Sequence, residues 1–416
     1  MEREEQLKQI RQVLEECNRH DIHYCILRNY EFLLGDPMAI ESMDTVVSTE
    51  DFPRLDAILR QYGFIQRQQQ FSLKHKAYFK LVNLQKISFD LQVGGVHWND
   101  MKYLDVIQNR FKKDFLYVPS DNDTFVMLLV HSILGKRYCK LKYQRILRSL
   151  VVDKEYVLSQ LSRIFNTRIA RQLYQLVTED KFEMITPYRL AAYFVIKKPS
   201  RILTLSALSL RWLRWKKLFR PYPLISIVGP DGAGKSTVVS GLKSYFQNQG
   251  RKVTTIYMGR GRSHLLPVTK LGMKYKSREK QKKASPQKLW YILSAPVFAL
   301  DLWLRYYIHI FPIRMKKTMV ITDRYCSDII LMKNVPFWIK RALLSLFPKP
   351  TISILLYNSP DVLHQRRPEE PIAELERQLA IFNRFDYSLT LKTMDKEHDF
   401  ETVAAVVVEK LLREWY

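Results

Sequence analysis

Gly229, Pro230, Asp231, Gly232, Ala233, Gly234, Lys235, Ser236 and Thr237 form a run whose residue types and spacing suit an anion. The glycines let successive backbone N–H groups turn into one concavity, where polyphosphate oxygens can replace the water they lose. At this spacing Lys235 reaches the β- and γ-phosphates and Ser236 ligates Mg²⁺, while a helix that starts here aims its N-terminal dipole at the anion. The apolar run Leu224–Val228 directly ahead supplies the strand that such a loop requires. The alternative is a glycine-rich strand-to-helix turn that binds nothing. In either case Lys235 is expected in a solvated loop, apart from any core.

A second pair, Asp323 and Arg324, ends the apolar run that begins at Met319. In an open α/β sheet the carboxyl ends of strands face the ligand crevice, so Asp323 is placed to hold Mg²⁺ or its water and Arg324 to clamp an acceptor phosphate. The competing reading is a helix cap beside a surface arginine. Farther on, Arg366 and Arg367 lie between Ser359 and an expected helix over Ile372–Phe385, in what reads as a mobile segment. Phosphoryl transfer needs cations that meet the equatorial oxygens as charge moves across them, and a closing lid delivers them while excluding water. The plainer alternative is a solvated pair at a helix end.

These residues need a scaffold. From 222 to 416 the runs Leu224–Val228, Val253–Tyr257, Thr318–Ile321 and Ile352–Leu356 alternate with helical segments, which implies an α/β domain with a doubly wound parallel sheet. Residues 1–119 read as a separate α/β unit, with helices over Glu4–Arg19 and around Phe52–Tyr62 and strands at Tyr24–Leu27, Thr45–Val47 and Ile87–Val93. Between them, 120–221 carries helical periodicity and no convincing strand, as a helical connector would. Leu289–Ile313 is the most membrane-like stretch, but Asp301, Arg305 and His309 recur at four-residue steps on one helix face. A spanning helix would not carry that stripe, which places an Asp301–Arg305 pair on the wet or functional side of a buried amphipathic helix.

Composition narrows the partners. Among 416 residues, Lys+Arg 67 against Asp+Glu 41 gives a net charge of +26 and a pI near 9.8, which favours nucleotides, nucleic acid or an acidic membrane surface. Cys17, Cys25, Cys139 and Cys326 are widely spaced without a C-x-x-C pair, which suits a reducing compartment and argues against a disulfide framework or a zinc site. The charged helix start at Met1 lacks a signal-peptide core, so the expected location is cytoplasmic.

The glycine-rich run at Gly229–Thr237, Asp323-Arg324-Tyr325 and the arginines Arg366 and Arg367 together resemble the thymidylate-kinase-like branch of the nucleoside monophosphate kinases, over about half of the chain. The resemblance implies a P-loop kinase that uses ATP and Mg²⁺. In it Asp231 touches a sugar hydroxyl of the acceptor, Asp323 and Arg324 serve the metal and the acceptor phosphate, and the lid arginines stabilise the transferred group. With glycine at 232, the catalytic arginine comes from the lid rather than the loop. Two family elements differ. Tyr257, Gly259, Arg260 and Arg262 occupy the place of its arginine-proline-glycine-glycine element, and Cys326-Ser327-Asp328 follows Asp323-Arg324-Tyr325 in place of its thymine-binding pattern. The implied acceptor is a nucleoside monophosphate, with a sugar, glycan or lipid-linked group as the alternative; a non-catalytic ATP-binding sensor or scaffold is the reading from another class.

Residues 1–119 resemble the nucleotidyltransferase fold, through Ile26–Tyr30, Met43–Val47 and Ile87–Val93. An active enzyme of that kind presents two carboxylates one residue apart on a strand to hold two metal ions. Here Ser42 stands where the first is wanted and the dyad is broken, which implies a degenerate, binding or structural domain, with a single metal ion on Asp44 and Asp90 as the alternative. Basic stretches add surface candidates. Arg262–Lys288 holds nine basic residues against Glu279, Lys136–Arg148 carries six basic residues and no acid, and Arg211–Arg220 sets Trp212, Trp215 and Phe219 among cations. Such segments suit peripheral contact with the anionic inner face of a membrane, against a solvated loop and a helix packed on a neighbouring domain. No recognised nucleic-acid reader motif is present, and a homodimer is compatible with the sequence.

Overall fold

A computed structural model describes residues 2–36, 40, 42–68, 72–216, 220–259, 265–266, 288–333 and 335–415. Residues 260–262 and most of the basic segment 262–288 therefore lie outside the described residues, as do residues 217–219 and the side chains of 214–216. Two compact units emerge, Met1–Lys217 with Leu412–Tyr416, and Leu218–Leu411. Among the described residues no helix is long and apolar enough to cross a membrane.

The first unit is built on a five-stranded mixed sheet of β1 (Tyr24–Arg28), β2 (Met43–Val47), β3 (Ile65–Gln66), β4 (His75–Val82) and β5 (Gln85–Val93), ordered β1-β2-β5-β4-β3. Side chains alternate faces along a strand. Accordingly Tyr24 and Ile26 of β1 join one core with Ile10, Val13, Leu14 and Cys17 of the helix Glu2–Arg19. Cys25 and Leu27 join another with Phe125, Leu128, Leu161 and Phe194 of the following helices. Those helices run from Asp121–Val130 to Pro199–Lys216, with Ser120, Asp153 and Asn166 capping three of them through their side chains. Two hairpins, β6 (Val96–Trp98) with β7 (Met101–Leu104) and β8 (Phe111–Lys113) with β9 (Leu116–Val118), link sheet to helices.

The second unit is α/β. Its five strands, β10 (Leu224–Val228), β11 (Val253–Tyr257), β12 (Met319–Asp323), β13 (Ile352–Tyr357) and β14 (Leu389–Lys392), form an all-parallel sheet ordered β11-β12-β10-β13-β14 and flanked by helices. β10 is buried at every position, the near-continuous apolar run expected of a central parallel strand. Parallel pairing places all carboxyl ends on one edge, and β10 and β12 are direct neighbours there, with Ile227 opposite Asp323.

The helical stretch before β12 departs from the expected stripe. Asp301 is 0% and Arg305 2% exposed, so neither lies on a wet face. Asp301 accepts from Leu265 N and Leu266 N, each at 2.8 Å, and Arg305 donates to Tyr257 O at 3.0 Å and Gly259 O at 3.4 Å. His309 is exposed, because a π-helical turn over Tyr306–Ile310 breaks the four-residue phase after Arg305.

Candidate functional site

Strand order brings together two of the expected clusters. The glycine-rich loop leaves the carboxyl end of β10 and enters the helix Lys235–Asn248, whose N-cap is Gly234 at φ 78 with no side-chain cap. Thr237 N donates to Gly234 O at 3.1 Å, and the N–H groups ahead of it have no capping side chain and face the place a ligand or water would take. At Gly229, φ is 145 and an added Cβ would run into Leu356 O of β13, so only glycine lets the loop pass the strand this closely.

Lys235 is not in a solvated loop. It is 6% exposed, and its Nζ donates to Pro230 O at 2.6 Å and lies 3.7 Å from Asp231 Oδ1, so the loop folds over its own lysine. Burial, with Arg324 adding to it, pushes the ammonium down to about 8.

Ser236, exposed at the loop mouth, donates Oγ to Asp323 Oδ2 at 2.8 Å. The other carboxylate oxygen, Asp323 Oδ1, is buried without a hydrogen-bond partner among the described residues. Hydroxyl and carboxylate oxygens are the hard donors that Mg²⁺ takes. No group of three His, Cys, Asp or Glu side chains is poised for a metal among the described residues, so this pair would need phosphate oxygens to complete a coordination shell.

Arg324 adopts the left-handed region, φ 59, and its N–H donates to Ile227 O at 3.0 Å, fixing it at the strand end. Such a conformation costs a non-glycine residue about 1 kcal/mol or more and is tolerated where the surroundings over-determine it. Its guanidinium is held by Asp231 and by Asp328, the latter at 3.1 Å, and both carboxylates outweigh burial to raise its already high pKa. Burial acts to raise the Asp231 carboxyl, but Arg324, Lys235 and Arg367 together hold it below its ordinary value.

Arg366 and Arg367 end a short helix, Pro360–Arg366, beside the loop. Arg366 Nη1 reaches Gly232 O at 3.4 Å and Thr393 Oγ1 at 3.2 Å, and a Cβ on Gly232 would lie 2.9 Å from Leu363 O of the same helix. Arg367 is exposed, as is Thr237. Gly229, Asp231, Gly232, Ala233, Gly234, Lys235, Ser236, Asp323, Arg324 and Arg366 therefore share one carboxyl edge. Asp328, Tyr257 and Arg305 belong to the same neighbourhood; the sequence names each of them but assigns none a contact with Arg324 or with the backbone beside it, and the four-residue step from Arg324 to Asp328 is the one local signal for such a contact.

In the first unit Asp44 and Asp90 face each other in register on β2 and β5, and Arg28 donates to Asp44. Arg28 Nη1 also meets Tyr143 OH at 3.1 Å, and His75 Nδ1 stands 3.9 Å from Asp90. Burial raises the Asp44 carboxyl even with Arg28 beside it. Comparison with protein-family models and with curated proteins finds no match for the chain.

Proposed function

We propose that the second unit is an ATP- and Mg²⁺-dependent phosphotransferase with a P-loop, thymidylate-kinase-like fold. The observation that carries this reading is the meeting of Lys235 and Ser236, from the loop after β10, with Asp323 and Arg324, from the end of β12, on one edge of a parallel sheet. A binding-only sensor would share Asp323 for the metal but has no use for Arg324, whose role on this reading is toward an acceptor.

On this reading the triphosphate lies along the loop and the first turn of the helix Lys235–Asn248. Lys235 exchanges Pro230 O for β- and γ-phosphate oxygens, an exchange of a neutral acceptor for a charged one. Ser236 and Asp323 would hold Mg²⁺, which would supply charge neutralisation to the triphosphate. Arg366 already touches the loop at Gly232 O, and on this reading it and Arg367 stabilise the moving phosphoryl group. The acceptor sits on the Asp231–Arg324 side. The resemblance implies a nucleoside monophosphate there; a sugar, glycan or lipid-linked hydroxyl is the second reading, favoured by the two carboxylates on Arg324.

The first unit is proposed to be a degenerate nucleotidyltransferase-like domain, supported by the in-register Asp44 and Asp90 and by the arginine cation on Asp44. Labelled ATP offered with nucleotides, sugars and glycan or isoprenoid alcohols tests the main reading. Transfer should require Mg²⁺ and vanish in Lys235→Ala; undiminished transfer in that variant would remove the assignment.

A further inference from the structure

The helical part of the first unit encloses a cavity that has no part in phosphoryl transfer. Its volume is about 340 Å³, within the range of about 300–1,000 Å³ usual for small-molecule sites. Leu129, Ile133, Phe182 and Ile185 give it an apolar floor, and each of them is less than a tenth exposed. The helix that begins at Asp121 runs on past Val130 as a π-helical turn, His131–Lys136, and stops at Arg137, which adopts the left-handed region at φ 67. A π turn and a left-handed arginine are each unfavourable for the chain and persist where the surroundings hold them, often at binding sites. The chain leaves the helix axis here, and Arg137, Tyr138 and Cys139 line the cavity.

Arg137 is fixed in place by its neighbours. Its guanidinium lies 5.3 Å from the Trp98 ring and 5.9 Å from the Tyr188 ring, and Nη1 donates to Ile133 O at 3.1 Å. Its remaining N–H groups have no acceptor among the described residues. From Lys136 to Arg148 the chain carries six basic residues and no acid. In the segment that supplies Phe182 and Ile185, Glu179 is paired with Lys181 and Asp180 with Arg148, while Glu183 lines the cavity, exposed and in the field of Lys181. Arg137 is therefore the cation held against this cavity, and its one acidic neighbour there is solvated and offset. Ser132 Oγ donates to Leu128 O at 2.7 Å and lies 3.6 Å from Cys139 Sγ, which lodges the thiol in the wall. We infer that this cavity binds a small apolar carboxylate, its hydrocarbon body on the floor of Leu129, Ile133, Phe182 and Ile185 and its head on the fork of Arg137. A guanidinium meets a carboxylate through two parallel N–H bonds, and one already stacked on aromatic rings loses little freedom in doing so. An apolar body gains by leaving water, whereas a free inorganic anion has no use for the floor and an alcohol leaves the arginine without its charged partner.

The test uses the full chain with octanoate, 1-octanol and octylamine, probes of one length that differ in the charge of the head. Isothermal titration measures binding, and alkylation of Cys139, read by peptide mass mapping, reports occupancy of the cavity itself. Octanoate should bind about tenfold or more tighter than octanol, with octylamine the weakest, and at saturation it should suppress the alkylation of Cys139. Arg137→Asn removes the cation and keeps a residue that accepts the left-handed conformation, so the chain should fold and hold octanoate no better than octanol. Cys139→Phe fills the cavity and should abolish binding of all three probes; should that variant fail to fold, Arg137→Asn and the alkylation of the parent chain decide. The inference is overturned if octanol or octylamine equals octanoate, if octanoate binds without protecting Cys139, or if Arg137→Asn holds octanoate as tightly as the parent chain. Octanoate binding weaker than a Kd of about 1 mM overturns it as well.

Discussion

Ser236 Oγ donates to Asp323 Oδ2 at 2.8 Å and so joins the start of the helix after the glycine-rich loop to the end of β12, 87 positions away. Strand order dictates the contact. β10 and β12 are hydrogen-bonded neighbours, so the loop and helix leaving β10 meet the last residue of β12. One carboxylate oxygen is satisfied by the hydroxyl while Oδ1 stays buried without a partner among the described residues, a state that a bound cation would relieve.

Asp323→Asn keeps the shape and removes the charge. Mg²⁺ titration at fixed ATP should then show the half-saturating metal concentration raised about tenfold to a hundredfold, with a smaller rise for Ser236→Ala. An unchanged metal requirement in both variants would leave Asp323 a structural partner of Ser236 alone.

Lys235 gives a pH dependence of two opposite signs. Its ammonium titrates at about 8 in the folded chain against an ordinary 10.5, so between those values the unfolded chain binds more protons and stability rises with pH. Nucleotide binding needs the charged form, so affinity for ATP should fall as pH climbs through about 8. Lys235→Arg keeps its charge and should lose that fall. Calorimetric titration from about pH 6.5 to about pH 9.5 separates the two proteins; parallel curves would show that Lys235 does not meet the phosphates.

Local signals made much of this legible. Leu224–Val228, the loop and Asp323–Arg324 each announce themselves within a few residues, and alternation with helices is enough to imply a parallel sheet, whereas the order that sets β12 beside β10 is a tertiary fact. β4 was missed because Lys76 and Lys80 interrupt its apolar pattern, and β14 because four residues with two exposed positions give too short a run. The burial of Lys235 is a tertiary fact, and the π-helical turn that takes His309 away from Arg305 breaks a spacing that sequence periodicity assumes to be regular. Pro230 O lies five residues from the ammonium it accepts from, but that the loop folds back on its own lysine is not written in the motif, and no short window contains Gly259 O as the partner of Arg305.

Gly229 and Gly234 separate crowding from strain. Both have positive φ, but an added Cβ meets Leu356 O at the first and nothing within 4 Å at the second. Gly234→Ala should therefore cost about 1–2 kcal/mol, the left-handed penalty alone. Gly229→Ala adds overpacking of about 1–3 kcal/mol, because backbone on both sides must move. Thermal unfolding ranks them, and equal midpoints would mean that the loop relaxes away from β13 at little cost.

Arg305 is a positioning residue by its contacts, since its guanidinium spends its hydrogen bonds on Tyr257 O and Gly259 O, the exit of β11. A Cβ on Gly259 would lie 2.7 Å from Arg324 Cδ and would run into the Tyr257 hydroxyl, so the backbone that Arg305 holds also fixes the wall beside Arg324. Arg305→Met fills the same volume and removes both of these donations, which should cost about 1–3 kcal/mol for each carbonyl that neither water nor another donor reaches. The kinetic consequence should fall on the acceptor. KM for the acceptor should rise about tenfold while KM for ATP stays within about twofold, because Lys235 and Ser236 are carried by β10 and its helix, whereas Arg324 leans on the segment that Arg305 fixes. Arg305→Lys restores a cation but not the planar fork, so it should recover stability more fully than acceptor binding. A rise shared equally between the two KM values would show that Arg305 supports the fold of the unit as a whole and has no particular hold on the acceptor side.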